Sequence, residues 1–415
     1  MKIYLVGGAV RDSLLEKQCN DKDYVVVGST IEEMESLGFK QVGKEFPVFL
    51  HPQTNEEYAL ARTERKIGDK HTDFTFEFNP DITLEEDLVR RDFTVNAMAL
   101  DAENNVIDYF GGMFDLENKV LRAVRPETFI EDPLRVLRGC RFAAQLDFDI
   151  EPSTMELFTK MVNDGMLNHL TSERVWKETE KALQPNFKSH RYFELLLECG
   201  ALKVLFPELY DVSLAPEQIK YHPSGNSFKH TMIALQRVED KSSLIKFATL
   251  VHDLGKGNTP KEILPKHNDH DIRGLDLIES MCERIKIPNK YKDFAKLFCK
   301  NHMRIAKFND MNLNKKYDLI SEISNGFKDE DKLEDFMYCF YSDYFGEETL
   351  TEYNSIEQYD SIFYNAFKVF DIMCGVTLKT LDETTQNNLS RHKGEKFGKL
   401  YRDAKIDYLR QRFNS

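Results

Sequence analysis

Two aspartates near the N-terminus, Asp21 and Asp23, have the spacing of a metal-binding pair. Side chains alternate along a strand, so carboxylates two positions apart lie on one face, about 7 Å from each other. Such oxygen ligands suit one or two Mg²⁺ ions that hold a nucleoside triphosphate. On its own this pair more often marks a surface turn, so the interpretation depends on the motif that precedes it.

A glycine-rich motif, GGAVRD at residues 7–12, precedes the two aspartates. It follows a predicted strand and opens a predicted helix, where the backbone N–H groups of glycines such as Gly8 can approach a phosphate. Arg11 adds a charged donor at the same place. Two glycines alone equally indicate a tight turn, but together with Asp21 and Asp23 they favour a site for a metal-bound triphosphate.

A third carboxylate on a neighbouring strand would complete a polymerase-type centre, because it helps to activate the attacking hydroxyl. Glu57, in the predicted strand EEYALAR, is the first candidate, and Glu56 is the alternate. Alternation along the strand places Glu57 with Ala59 and Ala61, whose small side chains leave room beside the acid. A solvent-facing strand glutamate remains a nearly equal interpretation.

A second set of residues suited to metal chemistry lies in the middle of the chain. His252 and Asp253 sit in the apolar helical run LIKFATLVHDLGKG, and a charged pair at the end of an otherwise buried helix is costly unless it binds a metal or a partner. Six of the eleven histidines fall between His222 and His302. A core or cap role also explains the dipeptide, but its histidine-rich surroundings favour a metal site.

The elements that must position these residues divide the chain into a β-rich part and a helical part. Residues 1–125 contain short predicted strands bounded by turn residues, with helical segments between them, which indicates a mixed α/β domain. From Glu131 onward apolar residues recur with a period of 3.6, which predicts helices. The expected fold class is therefore α+β, and the stretch Tyr221–Asn226 predicts a domain boundary near residue 220.

Composition narrows the classes of function further. The 415 residues have a mean hydropathy of −0.50 and no stretch near the ~20 apolar residues of a membrane span, which disfavours export and insertion. Seven scattered cysteines without a CxxC pair favour the reducing cytoplasm. A net charge of −14 argues against a general basic surface, so any nucleic acid must meet local basic patches.

The motifs also occur in the order and spacing of a known family. The chain resembles the CCA-adding enzymes, the bacterial class II tRNA nucleotidyltransferases, in GGAVRD, DKDYVVVGST, EEYALARTERK, RRDFTVNAMA and EDPLRVLRGCRFAAQ. The resemblance continues through ERVWKETEKAL and FATLVHDLGKG, as in the multifunctional subgroup that carries an HD phosphohydrolase domain. It implies a polymerase-β-like nucleotidyltransferase head (1–130), a helical neck and body with a nucleotide-selecting helix (131–220), a helical HD domain (221–345) and a helical tail (346–415).

For the head, the resemblance implies template-independent addition of C, C and A to the 3′ end of tRNA. The substrates would be CTP and ATP, Mg²⁺ would be the cofactor, and pyrophosphate would be released. The positions that match the family are Asp21 and Asp23 for the metal, and Gly8, Arg11, Arg91, Arg135 and Arg138 for the nucleotide.

Without a nucleic-acid template, the protein itself must present a hydrogen-bonding edge to the base. Asp132, near a predicted N-cap, and Arg135 lie three residues apart and so share a helix face. A carboxylate accepts from the amino group of cytosine or adenine, and a guanidinium donates to the neighbouring ring position. Uracil and guanine present carbonyls where those amines sit, which explains their rejection. An ordinary helix cap is the alternative role of Asp132.

For the HD domain, the resemblance implies 2′,3′-cyclic phosphodiesterase, 2′-nucleotidase and phosphatase activities, with His252 and Asp253 as the catalytic pair. Imidazole and carboxylate ligands suit Ni²⁺, Mn²⁺ or Co²⁺ as well as Mg²⁺, and a metal-activated water can attack a phosphate ester. The implied metal ligands are His230, His252, Asp253, His270, His302 and Asp343.

The expected partners are tRNA, CTP and ATP, without a membrane, and the expected assembly is a monomer or a homodimer. The basic and aromatic C-terminal segment is either a contact for RNA or a helix packed on the body. Two other functions stay open: a poly(A) polymerase or partial CCA-adding enzyme, and an HD phosphohydrolase whose head only binds RNA. Intact Asp21 and Asp23 argue against the last of these.

Overall fold

The computed structural model describes residues 1–17, 22–42, 48–66, 74–77, 79–217, 225–346 and 355–413. Asp21 therefore lies outside the described residues. The chain divides into two compact units. The first contains Met1–Ala182 and Arg191–Leu205, and the second contains Leu183–His190 and Phe206–Ser415.

The strands described by the structure all belong to the first unit. They are β1 (Lys2–Val6), β2 (Asp23–Val27), β3 (Lys40–Gln41), β4 (Val48–Leu50), β5 (Glu57–Leu60), β6 (Thr63–Lys66), β7 (Phe74–Glu77), β8 (Met98–Leu100), β9 (Val106–Asp108), β10 (Val120–Leu121) and β11 (Asp149–Ile150). Seven of them form one sheet in the order β3-β4-β5-β2-β1-β8-β9. In it β2 and β5 are parallel and the other neighbours are antiparallel, so the predicted mixed sheet is confirmed.

Apolar side chains pack on both faces of this sheet. Along β2, Val25 belongs to one buried cluster with Val6 and Leu88, and Val26 belongs to another with Phe49. This alternation fixes the register, since a shift by one residue would exchange the two faces. The register in turn brings the first residues of β2 and β5 side by side.

The first unit also contains the helices that carry most of the predicted nucleotide-binding residues. Up to residue 205 the helices are α1 (Gly8–Leu14), α2 (Ile31–Ser36), α3 (Leu84–Val89), α4 (Gly112–Glu117), α5 (Pro126–Phe129), α6 (Leu134–Leu146), α7 (Pro152–Asn163), α8 (Ser172–Ala182), α9 (Ser189–Glu198) and α10 (Ala201–Leu205). Helix α6 lies very close to two aromatic rings at Gly139. A Cβ at this position would be 2.4 Å from the ring of Phe158 and 2.9 Å from that of Phe93, so a larger residue would not fit.

The second unit consists of helices joined by loops among its described residues, with one isolated β-bridge between Pro216 and Asn226. Its helices are α11 (Pro207–Ser213), α12 (Ser227–Arg237), α13 (Ser243–Val251), α14 (Leu254–Gly257), α15 (His270–Ile285), α16 (Asn289–Ile305), α17 (Leu313–Ile323), α18 (Glu330–Tyr344), α19 (Ile356–Met373), α20 (Glu383–Ser390) and α21 (Gly394–Phe413). Helix α14 closely approaches the start of α15 at Gly255. A Cβ at this position would lie 2.0 Å from the carbonyl oxygen of His270, so a larger residue would not fit.

The predicted fold class, a mixed-sheet head followed by helices, is confirmed. The finer division into four domains at residues 130, 220 and 345 stays a prediction. Among the described residues, no helix combines the length and the apolar character that a membrane crossing requires. The described cysteines are free thiols: Cys140, Cys199, Cys282, Cys299, Cys339 and Cys374.

Candidate functional site

A cavity of about 370 Å³ in the first unit collects most of the residues predicted to bind nucleotide and metal. Its lining combines a glycine turn, three aspartates and six arginines, which is the composition expected around a polyanion that carries metal ions. The lining residues are Gly7, Gly8, Arg11, Asp23, Arg90, Arg91, Asp92, Asn96, Asp132, Leu134, Arg135, Arg138, Phe142 and Arg174. Every predicted nucleotide-binding residue is among them.

The glycine turn brings backbone and arginine side chains together. Gly7 has φ +73°, which favours glycine, and a Cβ there would lie 2.8 Å from Nη1 of Arg91. Arg11 is buried and donates from Nη1 to Oδ1 of Asn96 at 2.7 Å, while its Nη2 lies 2.7 Å from Oδ1 of Asp12. These contacts fix the guanidinium beside the turn.

The carboxylates predicted to serve the metal lie at the start of β2 and β5. Asp23 and Glu57 are register partners on these parallel strands, and both are exposed. Glu56, the alternate, has Nζ of Lys22 at 4.0 Å from its Oε1. Because Asp21 lies outside the described residues, its pairing with Asp23 stays a prediction.

Asp92 anchors Arg138 in the same cavity. Its Oδ2 accepts from Nε of Arg138 at 2.8 Å and from Nη2 at 2.6 Å, and its Oδ1 accepts from Nδ2 of Asn96 at 3.0 Å. Burial raises the pKa of Asp92, but the charge of Arg138 and these hydrogen bonds outweigh it and hold the pKa well below its ordinary value. The buried aspartate is therefore ionised and orients the arginine toward the cavity.

Asp132 and Arg135 lie in one cavity but have different partners. Asp132 precedes Pro133, the N-cap of α6, and accepts from the backbone N–H of Leu134 at 3.1 Å, so its side chain is not the N-cap of the helix. Its carboxylate also pairs with Nη2 of Arg174 at 2.9 Å. Arg135 instead donates to the carbonyl oxygens of Thr128 and, at 2.6 Å, Arg90. Arg174 was not predicted as a site residue, because its helix shows only the charge pattern of a solvated surface.

The second unit brings together all six predicted ligands of the HD site. They form two triads, each with ligand atoms within 4.8 Å of one another: His230, His252 and Asp343 in one, and Asp253, His270 and His302 in the other. The predicted helix containing the HD pair is interrupted there, since α13 ends at Val251 and α14 begins at Leu254. This break places the two adjacent residues in different triads.

Backbone carbonyls orient three of these imidazoles. Nδ1 of His252, His270 and His302 lies 2.7 Å from the carbonyl oxygens of Thr249, His267 and Cys299, respectively. A ring that donates from Nδ1 presents the lone pair of Nε2 to the site, which is the usual arrangement of a metal-ligating histidine.

The inward-facing atoms of two histidines are close enough to share a cation. Nε2 of His270 and Nε2 of His302 are 2.9 Å apart, and two lone pairs at that distance repel unless a proton or a metal ion lies between them. Among the described residues, Nε2 of His252 and both carboxylate oxygens of Asp253 are buried and form no hydrogen bond of good geometry, although Nζ of Lys256 lies 2.8 Å from Oδ2 of Asp253. These buried atoms and the mixed nitrogen and oxygen donor set fit a divalent metal ion.

Burial and the charges of neighbouring side chains shift the pKa values of two of these histidines, His302 and His252. Burial and the neighbouring His270 lower the pKa of His302 to about 4, so that its lone pair is available. Burial lowers the pKa of His252, but Asp253 and Asp343 outweigh it and raise the pKa to about 10. The carboxylates thus favour positive charge in the middle of the site.

Two further charged residues, Lys256 and Glu217, reach this site, and sequence analysis missed both. Nζ of Lys256 lies 2.8 Å from Oδ2 of Asp253 and 2.6 Å from Oε1 of Glu217, and all three are buried. Lys256, three residues after Asp253 in HDLGK, could have been found from helical spacing. They line a cavity of about 640 Å³ with Asp253, Pro265, His267, Asn268, Asp269, His270, Asp271, His302, Met303 and Asp343.

Comparison with known proteins identifies families for both units. Residues 3–122 match the "Poly A polymerase head domain", and residues 221–334 match the "HD domain". Residues 147–212 match the family described as "Probable RNA and SrmB- binding site of polymerase A".

Curated relatives are similar over most of the chain. The "Multifunctional CCA protein" of Mannheimia succiniciproducens is 51% identical over 317 residues, which cover 74% of this chain and 75% of that protein. The "Multifunctional CCA protein" of Pasteurella multocida is 51% identical over 318 residues, with the same coverage.

Solved structures share the fold. The Thermotoga maritima CCA-adding enzyme complexed with tRNA is 22% identical with a TM-score of 0.64, covering 98% of this chain and 87% of that one. The Bacillus stearothermophilus CCA-adding enzyme in complex with CTP gives the same identity and TM-score, covering 98% and 88%.

Proposed function

The chain belongs to the multifunctional CCA proteins, and on this premise we propose that it adds C, C and A to the 3′ end of tRNA, using CTP and ATP. It is a tRNA nucleotidyltransferase that also carries a domain of the metal-dependent HD phosphohydrolase family. The observation that carries the proposal is the cavity of the first unit, in which the glycine turn, the arginines and Asp23 line one space.

In the proposed reaction, the 3′ hydroxyl of tRNA attacks the α-phosphate of the nucleotide and pyrophosphate leaves. Asp21 and Asp23 would hold Mg²⁺, which supplies charge neutralisation to the triphosphate when bound. Glu57, beside Asp23 on the next strand, would accept the proton of the attacking hydroxyl. The exposure of Asp23 and Glu57 leaves both accessible to substrate.

The nucleotide would be held by the remaining residues of the cavity. Gly8 and the guanidinium groups of Arg11, Arg91 and Arg138 would contact the triphosphate, since arginine pairs with phosphate through two parallel donors. Asp132 and Arg135 would read the base, with the carboxylate accepting from the amino group of cytosine or adenine. Uracil and guanine place a carbonyl there, so the remaining acceptor site of the carboxylate would stay unfilled.

For the second unit we propose hydrolysis of phosphate esters: 2′,3′-cyclic phosphodiesterase, 2′-nucleotidase and phosphatase activities. His252 and Asp253 would be central, and the two triads would hold Ni²⁺, Mn²⁺, Co²⁺ or Mg²⁺. Lys256 would hold Asp253 in place through its contact at 2.8 Å. We also propose that the protein works in the cytoplasm, which the free thiols of its described cysteines support.

Two variants test the separation of these activities. Asp23→Ala should abolish nucleotide incorporation and spare phosphatase activity, and His252→Ala should do the reverse. Asp81→Ala and His169→Ala, at exposed positions outside both sites, are matched controls that should leave both activities unchanged. Loss of both activities in either site variant would contradict the two-site proposal.

A further inference from the structure

We propose that Arg174 is a positioning residue for base selection, which acts by fixing the carboxylate of Asp132. This inference rests on the proposed addition of C and A and on Asp132 as the acceptor for the amino group of the base. It assigns to Arg174 the orientation of that acceptor.

The contact between the two side chains controls which carboxylate oxygen is available. Nη2 of Arg174 donates to Oδ1 of Asp132 at 3.1 Å and to Oδ2 at 2.9 Å. Oδ1 also accepts from the backbone N–H of Leu134 at 3.1 Å. Each carboxylate oxygen has two lone pairs, so among the described residues Oδ1 is fully used and Oδ2 keeps one acceptor site. Both side chains line the cavity and are only about one quarter exposed.

A buried ion pair holds the helix of Arg174 against α6, the helix that begins just after Asp132. One turn after Arg174 on α8, Oε2 of Glu178 accepts from Nε of Arg141 on α6 at 2.6 Å. Both side chains of this pair are at most 6% exposed, so the pair lies inside the helix interface. Arg174 therefore extends from a fixed surface and can hold Asp132 in one orientation.

The arrangement is unfavourable for stability alone. Nη1 of Arg174 is buried without a hydrogen-bond partner among the described residues. An unsatisfied buried donor is rare and costs free energy, and an ion pair selected only for stability would avoid it.

Arg135 does not replace Arg174 as the partner of Asp132. Its guanidinium is directed to the carbonyl oxygens of Thr128 and Arg90. Within the described residues, Arg174 is thus the cationic side chain that forms an ion pair with Asp132.

Loss of Arg174 should therefore affect specificity in one direction. A carboxylate that is free to rotate presents its acceptor to the amino group of cytosine less often, so CTP use falls. UTP has no amino group at that position and gains nothing from the fixed acceptor, so its poor use should change little. The removal of one oriented hydrogen bond corresponds to about a tenfold decrease in the CTP-to-UTP ratio of kcat/KM.

The test uses the full-length enzyme, a tRNA transcript lacking CCA, and CTP or UTP at varied concentration. Arg174→Gln should lower the kcat/KM ratio about tenfold, and Arg174→Lys, which keeps a charged donor, should restore most of it. Arg191→Gln is the matched control: it removes an arginine that pairs with Asp147 and Asp149 in the same unit, outside the cavity, and should keep the wild-type ratio.

An equal loss of CTP and UTP use in Arg174→Gln, or an unchanged ratio, would overturn the inference, because impaired folding lowers both rates together. An Arg174→Lys variant as unselective as Arg174→Gln would also overturn it. Failure of the wild-type enzyme to add C to the transcript would instead refute the proposed function on which the inference rests.

Discussion

Asp23 and Glu57 lie side by side at the first positions of two parallel strands, β2 and β5. Register partners on neighbouring strands point to the same face of the sheet, with backbones about 4.8 Å apart. Glu56 lies just before β5, and its Oε1 is 4.0 Å from Nζ of Lys22. This relationship favours Glu57 over Glu56 as the third carboxylate of the proposed metal site.

The substitution Glu57→Gln should lower kcat for nucleotide incorporation by about 100-fold, because it removes the group proposed to accept the proton of the attacking hydroxyl. KM for CTP should change little. Single-turnover incorporation of labelled CTP measures the effect. Glu56→Gln is the control and should remain within about twofold of wild type; a larger loss in Glu56→Gln than in Glu57→Gln would exchange the two assignments.

Removal of Lys256 should destabilise the metal-free second unit. Lys256→Met leaves the carboxylates of Glu217 and Asp253 buried without their cationic partner, which costs about 3–5 kcal/mol of unfolding free energy. Chemical denaturation after chelation measures this. The double variant Glu217→Gln/Lys256→Met should recover part of the loss, since one uncompensated charge disappears. A fully stable Lys256→Met protein would show that the ion pairs contribute nothing.

Lys246 should make the free energy of unfolding depend on pH in the alkaline range. It is fully buried, and its Nζ donates to the carbonyl oxygens of Gln184 at 2.8 Å and Phe187 at 3.0 Å. Burial lowers its pKa to about 8, below the roughly 10.4 of an unfolded lysine. Between these values the unfolded chain binds more protons, so the contribution of Lys246 to stability rises with pH.

Denaturation of wild type and Lys246→Met at several pH values from 7 to 10 checks this sign. The difference in unfolding free energy should move in favour of wild type as pH rises above 8. Subtraction of the variant removes the titration of all other groups. A difference that is constant with pH, or that moves toward the variant, would contradict the lowered pKa.

The sequence allowed prediction of features that follow from local periodicity. The apolar, β-branched run YVVV followed by Gly28 predicted β2. The 3.6-residue period in PLRVLRGCRFAAQL predicted α6, because that pattern has one way to bury its apolar face. The hairpin of β6 (TERK) and β7 (FTFE) was not predicted, since TERK contains no apolar residue and the alternation in FTFE extends over only four residues.

The missed site residues are defined by distant partners. Arg174 and Asp132 are 42 positions apart, and Lys256 and Glu217 are 39 positions apart, so no local pattern connects them. Arg174 belongs to a helix whose charges at i and i+4 resemble a solvated surface. Only packing of α8 against α6 brings it to the cavity, and packing is not encoded in the spacing of a single segment.

Stepwise extension of a tRNA transcript lacking CCA tests the central proposal most directly. The wild-type enzyme, Mg²⁺ and labelled nucleotides are combined, and product length is read on a sequencing gel. We expect growth by two residues with CTP alone and by three with CTP and ATP together, with no extension by UTP or GTP. A long ladder of A residues would indicate a poly(A) polymerase, and no extension would contradict nucleotidyl transfer and leave the HD site as the working centre.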